Sequence, residues 1–165
     1  MLTYQTIDTP AGPLTAVVSD SGAVRASGFT TDVAELLALI HPALREEARP
    51  ARSLRGVEDA IASYFDGELG ALDGVAVEQR TGGEFMAHAW RVMREIKPGS
   101  PVTYTQFAEL AGRPAAIRAA AAACARNPVA LFVPCHRVLR LDGSLGGYRW
   151  GLPVKRWLLD HEAAA

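Results

Sequence analysis

Short apolar runs broken by Pro and Gly open the chain, whereas apolar positions at helical spacing dominate its second half. Leu2–Thr9, Leu14–Ser19 and Ala23–Phe29 are strand-length stretches separated by Pro10-Ala11-Gly12-Pro13 and Asp20-Ser21-Gly22. That pattern predicts an antiparallel meander. Asp32 is placed to cap a helix, with Glu35 three residues on in the position of a capping box, and the helix ends near His41-Pro42. Val57, Ile61, Tyr64 and Phe65 then recur on one helical face until Gly67 stops the element. The acidic, Gly-containing stretch 66–84 reads as the link between an N-terminal α/β unit, residues 1–80, and a C-terminal unit, residues 85–165.

In the second half, Phe85, Ala89, Val92, Met93 and Ile96 share a helical face that ends at Pro98-Gly99. Thr103 and Gln106 form a capping box for a short helix to Ala111. After the turn Gly112-Arg113-Pro114, Pro114 at the first helical position opens a further helix that ends at Asn127-Pro128. Two helices joined by a short Gly-containing turn read as a helix-turn-helix. Within the second of them Ile117, Ala121 and Cys124 are expected on the core face, which leaves Arg118 off it. The apolar run Val129–Val133 leads into Pro134-Cys135-His136-Arg137-Val138, and Pro153 starts a last helix carrying Val154, Trp157, Leu158 and His161.

Composition narrows the class. With 49% apolar residues in 165, the chain can fill a core and is not a disordered sequence. No apolar run is long enough for a membrane span, and the N-terminus carries no charged-then-apolar leader pattern. The two cysteines, Cys124 and Cys135, do not form a disulfide framework, so a reducing, cytoplasmic setting is expected. No Cys precedes Cys124, and no metal site or cofactor is expected. The net charge of −1 conceals a division: residues 1–84 carry 6 Lys+Arg against 13 Asp+Glu, and residues 85–165 carry 11 against 5. A basic half fits a polyanionic partner, and fits equally two opposite surfaces that attract each other.

Candidate chemistry concentrates at Cys135-His136. A thiolate, not a thiol, is the attacking form, and a neighbouring imidazole can take its proton. Adjacency alone also fits a structural Cys beside a surface His.

The wider pattern adds Thr103-Tyr104-Thr105-Gln106-Phe107-Ala108, Arg118, Arg126-Asn127-Pro128, Gly147-Tyr148 and Leu158-Leu159-Asp160-His161-Glu162. With Pro134-Cys135-His136-Arg137-Val138, these pieces resemble in order and spacing the active-site domain of the O6-alkylguanine-DNA alkyltransferases, the methylated-DNA–protein-cysteine methyltransferases. A weaker likeness runs through Tyr4-Gln5-Thr6, Gly12-Pro13-Leu14 and Ser63-Tyr64-Phe65-Asp66-Gly67, so it spans nearly the whole chain.

The resemblance implies an α+β fold. An N-terminal antiparallel sheet with helices, ribonuclease H-like, would pack on a C-terminal helical domain with a helix-turn-helix. It implies DNA repair by direct reversal: an irreversible, single-turnover transfer of the alkyl group of O6-alkylguanine in duplex DNA to Cys135, with base flipping. His136 and Glu162 then match a Cys-His-Glu network, with a water between Cys and His. Asn127 matches a hinge at the Cys loop, and Tyr104 a residue near the target phosphate and the flipped base. Arg118 would fill the gap left by the extruded nucleotide, with Ala119 and Arg126 also on DNA. Val138, Tyr148, Arg149 and Trp150 would form the guanine pocket. The expected partner is double-stranded DNA carrying O6-alkylguanine, bound by a monomer.

Two departures are visible. Arg149-Trp150 stands where benzyl-tolerant relatives have small residues, and Ala130 where some of them have Pro. A smaller pocket, suited to methyl groups, is therefore expected. The residues alone leave open a Cys-His hydrolase, or a helix-turn-helix regulator that binds DNA without chemistry.

Overall fold

The computed structural model describes residues 1–164, which form two compact units. One comprises Met1–Arg80 with Pro128–Phe132, the other Thr81–Asn127 with Val133 onward.

The first unit is built on a sheet of order β3-β2-β1-β4. Strands β1 (Leu2–Ile7), β2 (Leu14–Val18) and β3 (Val24–Gly28) are the antiparallel meander expected from the sequence. Strand β4 (Ala48–Pro50) adds in parallel to β1, Leu2 opposite Ala48. Its three residues Ala-Arg-Pro carry no alternation, and Pro50 is tolerated because the strand is an edge. Every residue of β2 is buried, so the strand is covered on both faces. Its one polar member, Thr15, donates to Thr30 O at 2.6 Å and shares a hydrogen bond with Thr6 at 2.7 Å.

Helix α1 (Val33–Leu39) starts at Asp32, whose carboxylate accepts from Ala34 N at 3.1 Å. The expected capping box does not close. Glu35 instead accepts from the Thr30 hydroxyl at 3.3 Å, because Asp32 N already donates to that hydroxyl oxygen. Helix α2 (Val57–Phe65) buries Val57, Ile61 and Tyr64, the spacing read from the sequence.

The stretch after α2 is more than a link. Leu72 is buried, and Ala76 to Glu78 hydrogen-bond on both sides of Val24. Pro128–Phe132 also hydrogen-bonds to β3, through Ser27. There Leu131 holds φ +73°, an uncommon backbone state for a branched residue, with its side chain fully buried.

The second unit contains α3 (Glu84–Met93), β5 (Val102–Thr103), α4 (Tyr104–Leu110), α5 (Ile117–Ala125), β6 (Val138–Leu139) and α6 (Leu152–Ala163). The Thr103 box is closed: Gln106 N donates to the Thr103 hydroxyl at 3.1 Å, and Thr103 N to Gln106 Oε1 at 2.8 Å. Helix α5 packs on α3 and α4, and Trp90 Nε1 donates to Ala123 O at 2.9 Å.

Two expectations for α5 are corrected. Pro114 does not open it; the helix begins at Ile117. Arg113 to Ala116 close a turn, Ala116 N donating to Arg113 O, and Pro114 occupies the turn position its fixed φ suits. The buried face is Ala120 and Ala123, not Ile117, Ala121 and Cys124. Ile117 is 42% exposed. In a run of alanines the hydrophobic pattern carries almost no contrast, so neighbours across the packing interface choose the face.

The buried residues of α6 are Lys155, Leu158 and Glu162, two of them charged. Gly99, at φ +79°, lies against the end of α6, where a Cβ would stand 3.2 Å from Glu162 O.

Candidate active site

A one-turn 3-10 segment, Cys135–Arg137, sets three consecutive side chains into the interior of the second unit. His136 is fully buried, and its Nε2 lies 2.8 Å from Glu162 Oε2. Arg137 grips the same carboxylate with Nε at 2.9 Å from Oε1 and Nη2 at 2.9 Å from Oε2, while Nη1 donates to Ile96 O. The bidentate fork fixes the carboxylate plane, and the carboxylate fixes the imidazole. The ionised carboxylate accepts the Nε2 proton, so Nδ1 carries the lone pair. Among the described residues nothing hydrogen-bonds to that Nδ1.

Burial and charge divide the protons. Burial raises the Cys135 thiol pKa, partly offset by a hydrogen bond from the Asn127 side chain and by the Lys155 charge. Burial lowers the pKa of His136, against the opposing pull of Glu162. Burial alone would raise that of Glu162, but hydrogen bonds and charge from His136 and Arg137 outweigh it and hold the carboxyl well below the usual range. The resting state is therefore a thiol, a neutral imidazole and a carboxylate. Asn127, at the end of α5, also donates to Val133 O at 2.7 Å, which ties it to the backbone before the Cys loop.

The sulfur faces a pocket of about 270 Å³ lined by Tyr104, Ala121, Cys124, Ala125, Asn127, Cys135 and Gly147 through Trp150. Burial pushes the Tyr104 hydroxyl up to about 12, so it stays a donor at neutral pH. Gly146, at φ +71°, lets the loop pass Tyr104 closely: a Cβ there would stand 3.3 Å from the hydroxyl. Arg149 is tethered by Nη2 to Ala125 O at 3.2 Å. Among the described residues no three His, Cys, Asp or Glu side chains come together as metal ligands.

This geometry can be set beside known proteins. A family profile for the DNA binding domain of 6-O-methylguanine DNA methyltransferase matches residues 84–164. A methylated-DNA–protein-cysteine methyltransferase of Salmonella typhimurium is 37% identical, covering 98% of this chain and 95% of the relative. The chain belongs to the methylated-DNA–protein-cysteine methyltransferase family. A Mycobacterium tuberculosis member is 35% identical over 98% of this chain and 93% of its own. The crystal structure of Mycobacterium tuberculosis OGT in complex with DNA superposes with a TM-score of 0.81 at 31% identity, covering 98% of this chain and 93% of that one.

Of the site residues read from the sequence, His136 and Glu162 are hydrogen-bonded to each other, Cys135 precedes His136 in the same 3-10 turn, and Asn127 lies against the sulfur. Tyr104, Tyr148, Arg149 and Trp150 line the cavity in front. Val138 is buried outside that lining, and its carbonyl accepts from Lys155. Arg118 is exposed and Ala119 half-buried on α5, and Arg126, exposed, caps the end of that helix. Cys124 corrects an expectation: it is a wall of the pocket, not a core residue, because the face of α5 assigned to the core is turned to the cavity. Sequence reading missed Arg137 and Lys155. Arg137 could have been found by asking what satisfies a buried carboxylate beside His136. Lys155 carries no local signal, since a Lys on a helix ordinarily faces water.

Proposed function

We propose that this chain repairs DNA by direct reversal, taking the alkyl group of an O6-alkylguanine onto Cys135 once per molecule. The observation that carries the reading is a buried thiol lining a pocket of about 270 Å³, next in the chain to an imidazole that an Arg-held carboxylate orients. The thiol proton passes to His136 Nδ1, directly or over a water, and the imidazolium that forms is stabilised by Glu162. The sulfur attacks the alkyl carbon, the S–C bond forms and the C–O6 bond breaks. Guanine leaves with its developing charge met by the imidazolium proton, passed directly or relayed through the Tyr104 hydroxyl, so that His136 and Tyr104 both end neutral. The net change is thiol plus O6-alkylguanine to thioether plus guanine. A thioether offers no acyl carbon for water to attack, so the protein is consumed.

The α4–α5 pair serves as a helix-turn-helix on duplex DNA, with Arg118 filling the space of an extruded nucleotide and Ala119 and Arg126 beside it. Exposure of both arginines on a helix of small side chains supports this. The first unit is read as the ribonuclease H-like half. The protein acts as a cytoplasmic monomer; among the described residues no helix is long and apolar enough to cross a membrane.

The test is to incubate the protein with duplex DNA carrying labelled O6-methylguanine and map the label by peptide. One label per protein on Cys135 is expected, and none with Cys135→Ser, which should still bind the DNA. Label on Cys124, or many turnovers per protein, sinks the mechanism.

A further inference from the structure

We propose that Lys155 is a positioning residue for the alkyl-transfer pocket, its ammonium clamping both ends of the loop that leads directly into Tyr148, Arg149 and Trp150. The proposal rests on the transfer reading above and adds a residue to it.

Lys155 is 0% exposed, and its hydrogen bonds go to three backbone carbonyls rather than to a carboxylate. Nζ donates to Val138 O at 2.9 Å, Leu145 O at 2.5 Å and Gly147 O at 3.2 Å. These acceptors lie at opposite ends of one excursion. Val138 is fixed by pairing of β6 with β5, opposite Val102. Leu145 and Gly147 flank Gly146, the residue that passes Tyr104. Between them the loop is exposed from Arg140's neighbour Leu141 to Ser144 and is held within itself by Arg140–Ser144 and Gly143–Arg140 bonds. Among the described residues, the backbone hydrogen bonds of Leu145–Gly147 beyond this hairpin are those to Lys155. The next three residues are the pocket wall.

An ammonium with three donors matches three carbonyls, and burying it without them is costly. A methionine of similar length would fill the same space without that cost. The charged group therefore provides geometry: it converts an exposed loop into a wall at fixed distance from Cys135. Arginine would not substitute, since its planar fork cannot reach three carbonyls around one atom.

The experiment compares wild type with Lys155→Met and Lys155→Gln. Three quantities are read: the single-turnover rate of methyl transfer at saturating lesion DNA, peptide-mapped alkylation of Cys135 by iodoacetamide across pH, and hydrogen exchange of the 143–151 amides. In Lys155→Met, transfer should slow about 100-fold, the order of loss expected when a reacting group shifts by about 1 Å. Loop amides should exchange faster, while the iodoacetamide pH midpoint rises, through loss of the Lys155 charge, by too little to account for the slower transfer. Lys155→Gln keeps two N–H donors and should recover part of the loss. Unchanged transfer or unchanged exchange overturns the clamp. An upward shift of the Cys135 midpoint that accounts for the loss also overturns it, in favour of charge acting on the thiol. If Lys155→Met does not fold, Lys155→Gln carries the same comparison; failure of both to fold overturns the proposal in favour of a purely structural lysine. If wild type transfers no methyl, the transfer reading fails, and loop exchange still decides whether Lys155 holds the wall.

Discussion

At Cys135 burial keeps the proton on sulfur, and at His136 burial keeps the ring neutral, so neither partner is charged before the substrate arrives. Glu162 is the fixed charge of the set, and it is shared between His136 and Arg137. Removing that charge has two consequences. Glu162→Gln leaves the Arg137 guanidinium buried without a counter-charge, which should cost about 3 kcal/mol of folding stability. It also deprives the imidazolium of its partner, so transfer should fall together with stability. Denaturant unfolding checks the first and single-turnover transfer the second; a loss of transfer at unchanged stability would show that Arg137 finds another partner. In the pocket lining, Trp150 and Arg149 follow Tyr148 and add bulk to the wall. O6-benzylguanine should therefore inactivate the protein poorly, and Trp150→Gly should speed that inactivation. Rapid inactivation of wild type, or no gain in the variant, rejects steric exclusion by the ring.

Helix α5 serves three surfaces at once. Ala120 and Ala123 pack inward, Ala121 and Cys124 face the pocket, and Arg118 is exposed. Only small residues let one short helix meet close neighbours on so many sides. Arg118→Ala changes none of the packed faces. It should slow transfer from duplex DNA more than transfer from free O6-methylguanine base, since a free base needs no extrusion. Equal losses on both substrates would count against a role in holding the extruded state. The Cys loop is a second such element: Asn127 secures it from α5, and Arg137 secures it to Ile96 and Glu162.

For the whole molecule, the buried network sets the acid limit. His136 has a folded pKa below its ordinary value of 6.5, so folding favours the neutral ring. That contribution is complete above pH 6.5 and is lost as pH falls through the window between 6.5 and the lower folded value. Glu162 is likewise depressed below its ordinary 4.5, so its contribution is present above 4.5 and is lost at still lower pH. Stability against urea should begin to fall below about pH 6.5 and fall further below about pH 4.5, the second fall being smaller in Glu162→Gln. A flat profile from pH 7 to 5 would show that the ring is not held neutral.

The strands of the meander, the span of α2 and the Thr103 box were legible in the chain because each is a local pattern of alternation, helical spacing or capping; α3 was legible as a helix but stops at Met93, short of Ile96. Cys135-His136 was legible as candidate chemistry for the same reason. Strand β4 was not, being three residues without alternation whose place depends on pairing with β1. The buried face of α5 was not, because alanines offer no hydrophobic contrast. Glu162 lies 26 residues from His136, and no spacing rule brings a carboxylate that far along the chain to an imidazole; folding α6 against the Cys loop does. Lys155 shows the same division most plainly. As sequence it is a surface residue of an amphipathic helix. Only the tertiary structure, by offering three carbonyls in a space closed to water, gives the buried ammonium the partners that water would otherwise supply.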